Sequence, residues 1–85
     1  MNIQFSSRGW DDYLYWQQFD KKILKKVNDL LKDIGRNSYE GIGKPEPLKH
    51  ALSGFWSRRI TDEHRLVYRV DGDIIKVAQA RYHYE

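Results

Sequence analysis

Two periodicities divide the chain. Ile23, Val27, Leu30, Leu31 and Ile34 recur at i, i+4, i+7, i+8 and i+11, the spacing that lines one face of a 3.6-residue helix. Asp20 stands before this run as an N-cap, and Gly35 stands where a C-cap glycine belongs. Upstream, Trp10, Tyr13 and Leu14 keep helical spacing over about Arg8–Phe19. Ser6 or Ser7 can cap that helix, and Asp11 and Asp12 suit the positive end of its dipole. Asn2–Phe5 reads as a short strand, and the two helices are expected to form a hairpin with one shared apolar stripe.

After Pro47 the period changes to two. Strands are expected near Leu48–Ala51, Phe55–Thr61, Arg65–Val70 and Ile74–His83, with an Asp-Gly hairpin signal in "VDGD" (Val70–Asp73). Between the helical and strand regions lies "GRNSYEGIGKPEP" (Gly35–Pro47), a loop of a length that is often functional. The fold class is therefore α+β, with a short N-terminal strand, a two-helix hairpin and then an antiparallel sheet whose one face the helices cover. Eighty-five residues allow one domain, 1–85.

Alternation sorts the strand residues into two faces. Trp56, Ile60, Leu66, Tyr68, Val70, Ile74, Ala78, Ala80 and Tyr82 form the set expected against the helices. Ser57, Arg59, Arg65, Val67, Arg69, Gln79, Arg81 and His83 form the other. Arg59, Arg65, Arg81 and His83 are thus expected on one side of three adjacent strands. A wet sheet face carries arginines as a matter of course. Planar guanidinium groups on one face also suit the oxygens of a phosphate, which they can grip in pairs.

Charge and composition narrow the partners. The net charge is only +3, but Lys49, Arg58, Arg59, Arg65 and Arg69 face just Asp62 and Glu63 over Lys49–Arg69, with aromatics interleaved. That distribution points modestly to nucleic acid. Lys21, Lys22, Lys25, Lys26 and Lys32 fall mostly off the apolar stripe of the second helix, as either a solvated face or an RNA- or ribosome-facing patch. The absence of cysteine excludes disulfides and thiolate metal sites and fits a reducing cytoplasm. Neither a signal peptide nor a membrane span is expected from the apolar runs present, and no metal or nucleotide cofactor is expected from the motifs.

Cleaving an RNA phosphodiester without a metal needs a base for the ribose 2′-OH, an acid for the departing 5′ oxygen and fixed positive charge around the phosphorane. His83 suits the acid role near neutrality, although by pattern alone it reads first as an ordinary strand-end residue. Glu40, Glu46, Glu63 and the aspartates are all candidate bases. Glu46 differs in being held between Pro45 and Pro47, which restrict its backbone.

The segments "GKPEPLKHALSGFWSRRITDEHRLVYRV" (Gly43–Val70) and "RYHY" (Arg81–Tyr84), with "WDDYLYWQ" (Trp10–Gln17), resemble the YoeB/Txe toxins of bacterial toxin–antitoxin modules. These lie within the wider RelE-like superfamily, and the resemblance covers essentially the whole chain. It implies a microbial-ribonuclease-like fold and an endoribonuclease that cuts mRNA in the ribosomal A site and stops translation, without a cofactor. Transferred by motif, it makes Glu46 the general base, Arg65 the main transition-state stabiliser and His83 the general acid, with Tyr84 orienting or stacking the substrate. It makes Lys49 and Arg59 supporting phosphate contacts, to which the face sorting adds Arg81. The implied partners are mRNA, the ribosome and a YefM/Axe-like antitoxin, with DNA reached only through that antitoxin. A homodimer is also implied as possible, although a core role explains the aromatic first helix equally well. Glu85 departs from the pattern, following the tyrosine at which the family motif stops. A non-catalytic RNA- or ribosome-binding module is the competing class, and a co-repressor acting through its partner is a third.

Overall fold

The computed structural model describes residues 1–84; Glu85 and the question of its effect on Tyr84 lie outside the described residues. Strand β1 (Asn2–Phe5) leads into helix α1 (Ser7–Phe19) and helix α2 (Lys21–Arg36). Strand β2 (Glu46–Pro47), a 3-10 turn (His50–Leu52), and strands β3 (Trp56–Arg59), β4 (Arg65–Asp71) and β5 (Ile74–Gln79) follow. Ser6 caps α1 by accepting from the Gly9 amide, and Asp20 caps α2 by accepting from Lys22 and Ile23. Gly35 does not end α2: the helix continues to Arg36 and is closed by Asn37, whose backbone is extended.

The five strands form one mixed sheet in the order β1-β5-β4-β3-β2. The C-terminal strands are antiparallel, with the Asp-Gly hairpin joining β4 to β5, but β1 pairs in parallel with β5. The expected strand at Leu48–Ala51 is absent from the described structure. Glu46 and Pro47 pair with Ser57 and Trp56 instead, and the chain then turns at His50–Leu52. The last strand stops at Gln79 rather than running on to His83.

One irregularity resets the face sorting. Val67 pairs with Gln79 and Tyr68 with Val77, so Ala78 is the extra residue of a bulge. Upstream of it Ile75 and Val77, not Ile74 and Ala78, face the helices and join Val27, Leu30, Ile34, Leu66 and Tyr68 in the core. Downstream, Ala80 is buried and Gln79 lies opposite Val67. In α1 the row that meets the sheet is Gly9, Asp12 and Trp16; Trp10 and Leu14 are exposed. Gly9 is required there, because a β-carbon at this position would lie 2.8 Å from the Val77 carbonyl oxygen.

Arg58 alternates with Trp56 and Ile60 and so enters the core face as a charged residue. It is completely buried. Its guanidinium donates to Asp33 at 2.6 Å, to the carbonyls of Asn37, Glu40 and Ile42, and to the Tyr68 hydroxyl. Tyr68 in turn donates to the Ser38 carbonyl. These bonds tie the α2–β2 loop onto the core and fix where Glu46 leaves it. The Arg58 hydrogen bond holds the Asp33 carboxyl below its ordinary pKa, helped by the Ile42 amide.

Candidate active site

Cross-strand register builds the site on the sheet face away from the helices. Glu46 lies opposite Ser57, Ser57 opposite Val67, and Val67 opposite Gln79, forming one row across four strands. Two residues along β3, Arg59 stands on the same face and pairs directly with Arg65 at the start of β4. Two arginines side by side repel each other, so the pair is a natural receptor for an anion that bridges them.

Past Gln79 the chain folds back over this face. Gln79 Nε2 donates to the carbonyls of Arg81 and His83, each at 3.2 Å. The Tyr82 amide donates to His64 Nδ1 at 2.8 Å, and the Arg65 amide donates to the Tyr82 carbonyl at 3.0 Å. Tyr82 takes a left-handed backbone, φ 64°, which a residue bearing a β-carbon adopts only when its surroundings demand it. This reversal directs His83 and Tyr84 back toward the other strands. His83 Nε2 lies 3.0 Å from the Asp62 carbonyl and must be the donor there, since a carbonyl only accepts. Tyr84 Oη donates to Glu46 Oε1 at 3.1 Å, joining the two ends of the site.

All three side-chain hydrogen bonds of Arg65 among the described residues use Nη1, which donates to the carbonyls of Thr61, Asp62 and His64. That anchors one arm of the guanidinium and leaves Nε and Nη2 for a ligand. A cleft of about 450 Å³ is lined by Glu46, Pro47, Leu48, Lys49, Leu52 and Tyr84, among others. A second, sharing Leu52, has about 430 Å³ and is lined by Arg8, Gln79, Tyr82 and His83. The structure therefore brings Glu46, Lys49, Arg59, Arg65, His83 and Tyr84 to one face.

Arg81 is the exception. Its guanidinium carbon sits 3.5 Å from the centre of the Tyr15 ring and 4.6 Å from that of Tyr82, turned toward α1 rather than toward Arg59 and Arg65. The expected placement failed because the strand ends at Gln79, so alternation no longer governs where Arg81 points. Gln79, Asp62 and His64 are contacts of the tail that alternation alone does not single out. Among the described residues, no group of three or more histidines or carboxylates is arranged to hold a metal, and no helix is long and apolar enough to cross a membrane.

A two-helix layer covers one face of a five-stranded mixed sheet, and the clefts beside Glu46 and His83 open on the other, which makes the fold α+β with its candidate site on the uncovered face. The family profile of the YoeB-like toxins of bacterial type II toxin–antitoxin systems matches residues 5–84. Toxin YoeB of Escherichia coli K12 is 63% identical over 84 residues, covering 99% of this chain and all of that protein. A YoeB/ParE toxin from Agrobacterium tumefaciens superposes with a TM-score of 0.96 at 48% identity, covering 99% and 100% of the two chains. YoeB from Staphylococcus aureus, solved as a dimer and in complex with YefM, superposes at 0.93 in both cases. Identity is 59% and 58%, with 99% of this chain and 98% of that one covered. The chain belongs to the family of YoeB-like toxins.

Proposed function

We propose that this toxin is a metal-independent endoribonuclease, formed by one domain over residues 1–85, that cuts mRNA in the ribosomal A site and so halts translation. The observation that carries this reading is the convergence of groups from distant parts of the chain on one face. Glu46 and Tyr84 share a hydrogen bond of 3.1 Å, while Arg59 and Arg65 are cross-strand partners two positions along β3.

Glu46, exposed at the rim, takes the proton of the ribose 2′-OH. The freed oxygen attacks the adjacent phosphorus. Arg65, with one arm anchored to the β3–β4 turn, turns its remaining N–H groups to the phosphorane and needs little reorganisation to do so. Arg59 and Lys49 supply further positive charge. His83 gives its proton to the departing 5′ oxygen, and Tyr84 orients or stacks the neighbouring nucleotide. The products are a 2′,3′-cyclic phosphate, or the 3′-phosphate from its hydrolysis, and a 5′-hydroxyl. Arg81 has no direct place here: its stacking on Tyr15 supports a role in holding the tail.

A YefM/Axe-like antitoxin is the proposed inhibitor and a second copy of the chain the proposed dimer partner, in line with the S. aureus complexes. DNA is reached only through the antitoxin, and the cytoplasm, where mRNA and ribosomes are, is the proposed location. Primer extension on a defined mRNA, with and without ribosomes holding an empty A site, tests the reading. Wild-type protein is expected to cut only with ribosomes, and His83→Ala not at all. Cuts in free RNA, assayed with and without EDTA, would remove the ribosome dependence; EDTA-sensitive cutting would remove the metal independence. An absence of cuts from active, antitoxin-free protein would favour the binding-module class.

A further inference from the structure

His64 and Arg65, consecutive residues entering β4, grip the two polar backbone groups of Tyr82. Nδ1 of His64 accepts from its amide at 2.8 Å, and the Arg65 amide donates to its carbonyl at 3.0 Å. Tyr82 is the residue whose left-handed backbone turns the tail toward the cleft, and His83 follows it. The His64 ring packs edge-on against the buried Trp16 at 4.8 Å and lies 5.7 Å from the Tyr82 ring, which fixes its orientation. Since an amide N–H can only donate, Nδ1 must be unprotonated for this grip to exist.

We propose that His64 is a positioning residue: its unprotonated Nδ1 latches the Tyr82 amide and so sets His83 in the cleft, and protonation of the ring releases the tail. The latch bears on catalysis only insofar as His83 is the general acid proposed above, although the latch itself is a property of the fold. An imidazolium would present an N–H to the Tyr82 N–H, and the bond would be replaced by repulsion. The left-handed turn at Tyr82 would then lose one of its two backbone restraints.

The groups facing His64 divide in sign. Burial against α1 is the strongest influence and pushes its pKa below the ordinary histidine value. Glu63 in the turn and Asp12 on α1 oppose this, while Arg81 and His83 of the tail add to it. The latch is therefore closed at neutral pH and opens only at a pH below the ordinary histidine value.

Two measurements test this on the intact protein. Amide and imidazole NMR between pH 5 and 8 follows the Tyr82 amide proton and the His64 ring together. Both are expected to titrate with one midpoint, below the ordinary histidine value, and the Tyr82 amide to lose its protection from exchange on the acid side. Single-turnover mRNA cleavage on ribosomes with an empty A site, over the same range, compares wild type with two variants. His64→Asn keeps an uncharged acceptor near the Nδ1 position and is expected to cut with the acid limb of the profile flattened. His64→Phe keeps the aromatic packing on Trp16 without an acceptor, and is expected to lower the maximal rate about tenfold at every pH, with half-saturation unchanged. A Tyr82 amide indifferent to the titration of His64 would overturn the latch, as would a His64→Phe variant with the wild-type rate and profile. If the wild type cut nothing, the ribonuclease reading would fall, while the NMR titration would still decide the latch.

Discussion

Replacing Arg58 by Met keeps a long unbranched side chain in the core and removes every bond of the guanidinium. Arg58 is fully buried, and its five partners are the Asp33 carboxylate, three loop carbonyls and the Tyr68 hydroxyl. Removing one member of a buried ion pair costs about 3–5 kcal/mol, because the other charge is left without compensation. Here the lower end applies. Asp33 keeps about a fifth of its side-chain surface in water, and Asn37, Glu40 and Ile42 lie in an exposed loop whose carbonyls can rehydrate. With an unfolding entropy of about 2.1 cal/mol/K per residue, a loss of about 3 kcal/mol in an 85-residue chain lowers the melting temperature by about 17 °C.

Urea unfolding followed by tryptophan fluorescence, at fixed protein concentration, measures the loss directly. The second change, Asp33→Leu in the Arg58→Met background, removes the stranded carboxylate and is expected to raise the urea midpoint again. The pH dependence has a definite sign. Arg58 holds the folded Asp33 below its unfolded value, so the pair's stabilisation is present above about pH 3.8 and disappears as the pH falls through the lowered folded value. The gap between wild type and Arg58→Met should therefore narrow below pH 3.8. Since the same bonds hold the loop that leads to Glu46, cleavage well below the melting transition should also slow. A variant within about 1 kcal/mol of wild type, or a double variant whose two losses simply add, would refute the view that Arg58 anchors this loop by a buried, mutually dependent network.

Other outcomes follow from the same contacts. Glu46→Gln and His83→Gln should each reduce cleavage by about a hundredfold or more, with melting temperatures near wild type, because both side chains are exposed. Asp12 accepts from the buried Ala80 amide at 2.9 Å, and burial raises its carboxyl pKa despite that bond. A raised folded value means that stability falls as the pH rises from 3.8 through it; Asp12→Asn, which keeps the acceptor, should remove that slope in a melting-temperature series, whereas Asp12→Ala should cost about 1–3 kcal/mol by orphaning the Ala80 amide. Ser6→Ala removes the cap on Gly9 and the bond to the Ala78 carbonyl, and should cost about 1–2 kcal/mol in chemical denaturation.

How far the sequence carries depends on which rule governs each position. The helices were legible because their caps and apolar spacing are local: Ser6 and Asp20 stand where the pattern puts them. Gly35 misled because a glycine is tolerated inside a helix as well as just past its end; here the helix runs on to Arg36 and the extended Asn37 closes it. Arg59, Arg65 and Gln79 fell on the expected face because they lie in regular parts of their strands. Ile74 and Ala78 did not, since a single extra residue at Ala78 shifts the alternation upstream of it. The short strand at Glu46 was hidden by its two prolines. Pairing of only two residues with β3 leaves almost no periodic signal. Arg58 belongs by charge to the basic stretch that points to nucleic acid, although alternation with Trp56 and Ile60 turns it inward. What made its burial tolerable, the loop carbonyls gathered around it, exists only in three dimensions. The tail lies beyond any periodicity, so only motif resemblance connected His83 and Tyr84 with Glu46.

The ends left on the cut mRNA test the central claim most directly. Ribosomes holding a defined message with an empty A site would be treated with wild-type protein, and the fragments analysed by mass spectrometry. Attack by the 2′-OH, with Glu46 as base and His83 as acid, predicts a 2′,3′-cyclic phosphate or 3′-phosphate on the upstream fragment and a 5′-hydroxyl on the downstream one. A 3′-hydroxyl paired with a 5′-phosphate would mean that water attacked the phosphorus with the 3′ oxygen leaving, and would contradict the chemistry proposed for this face.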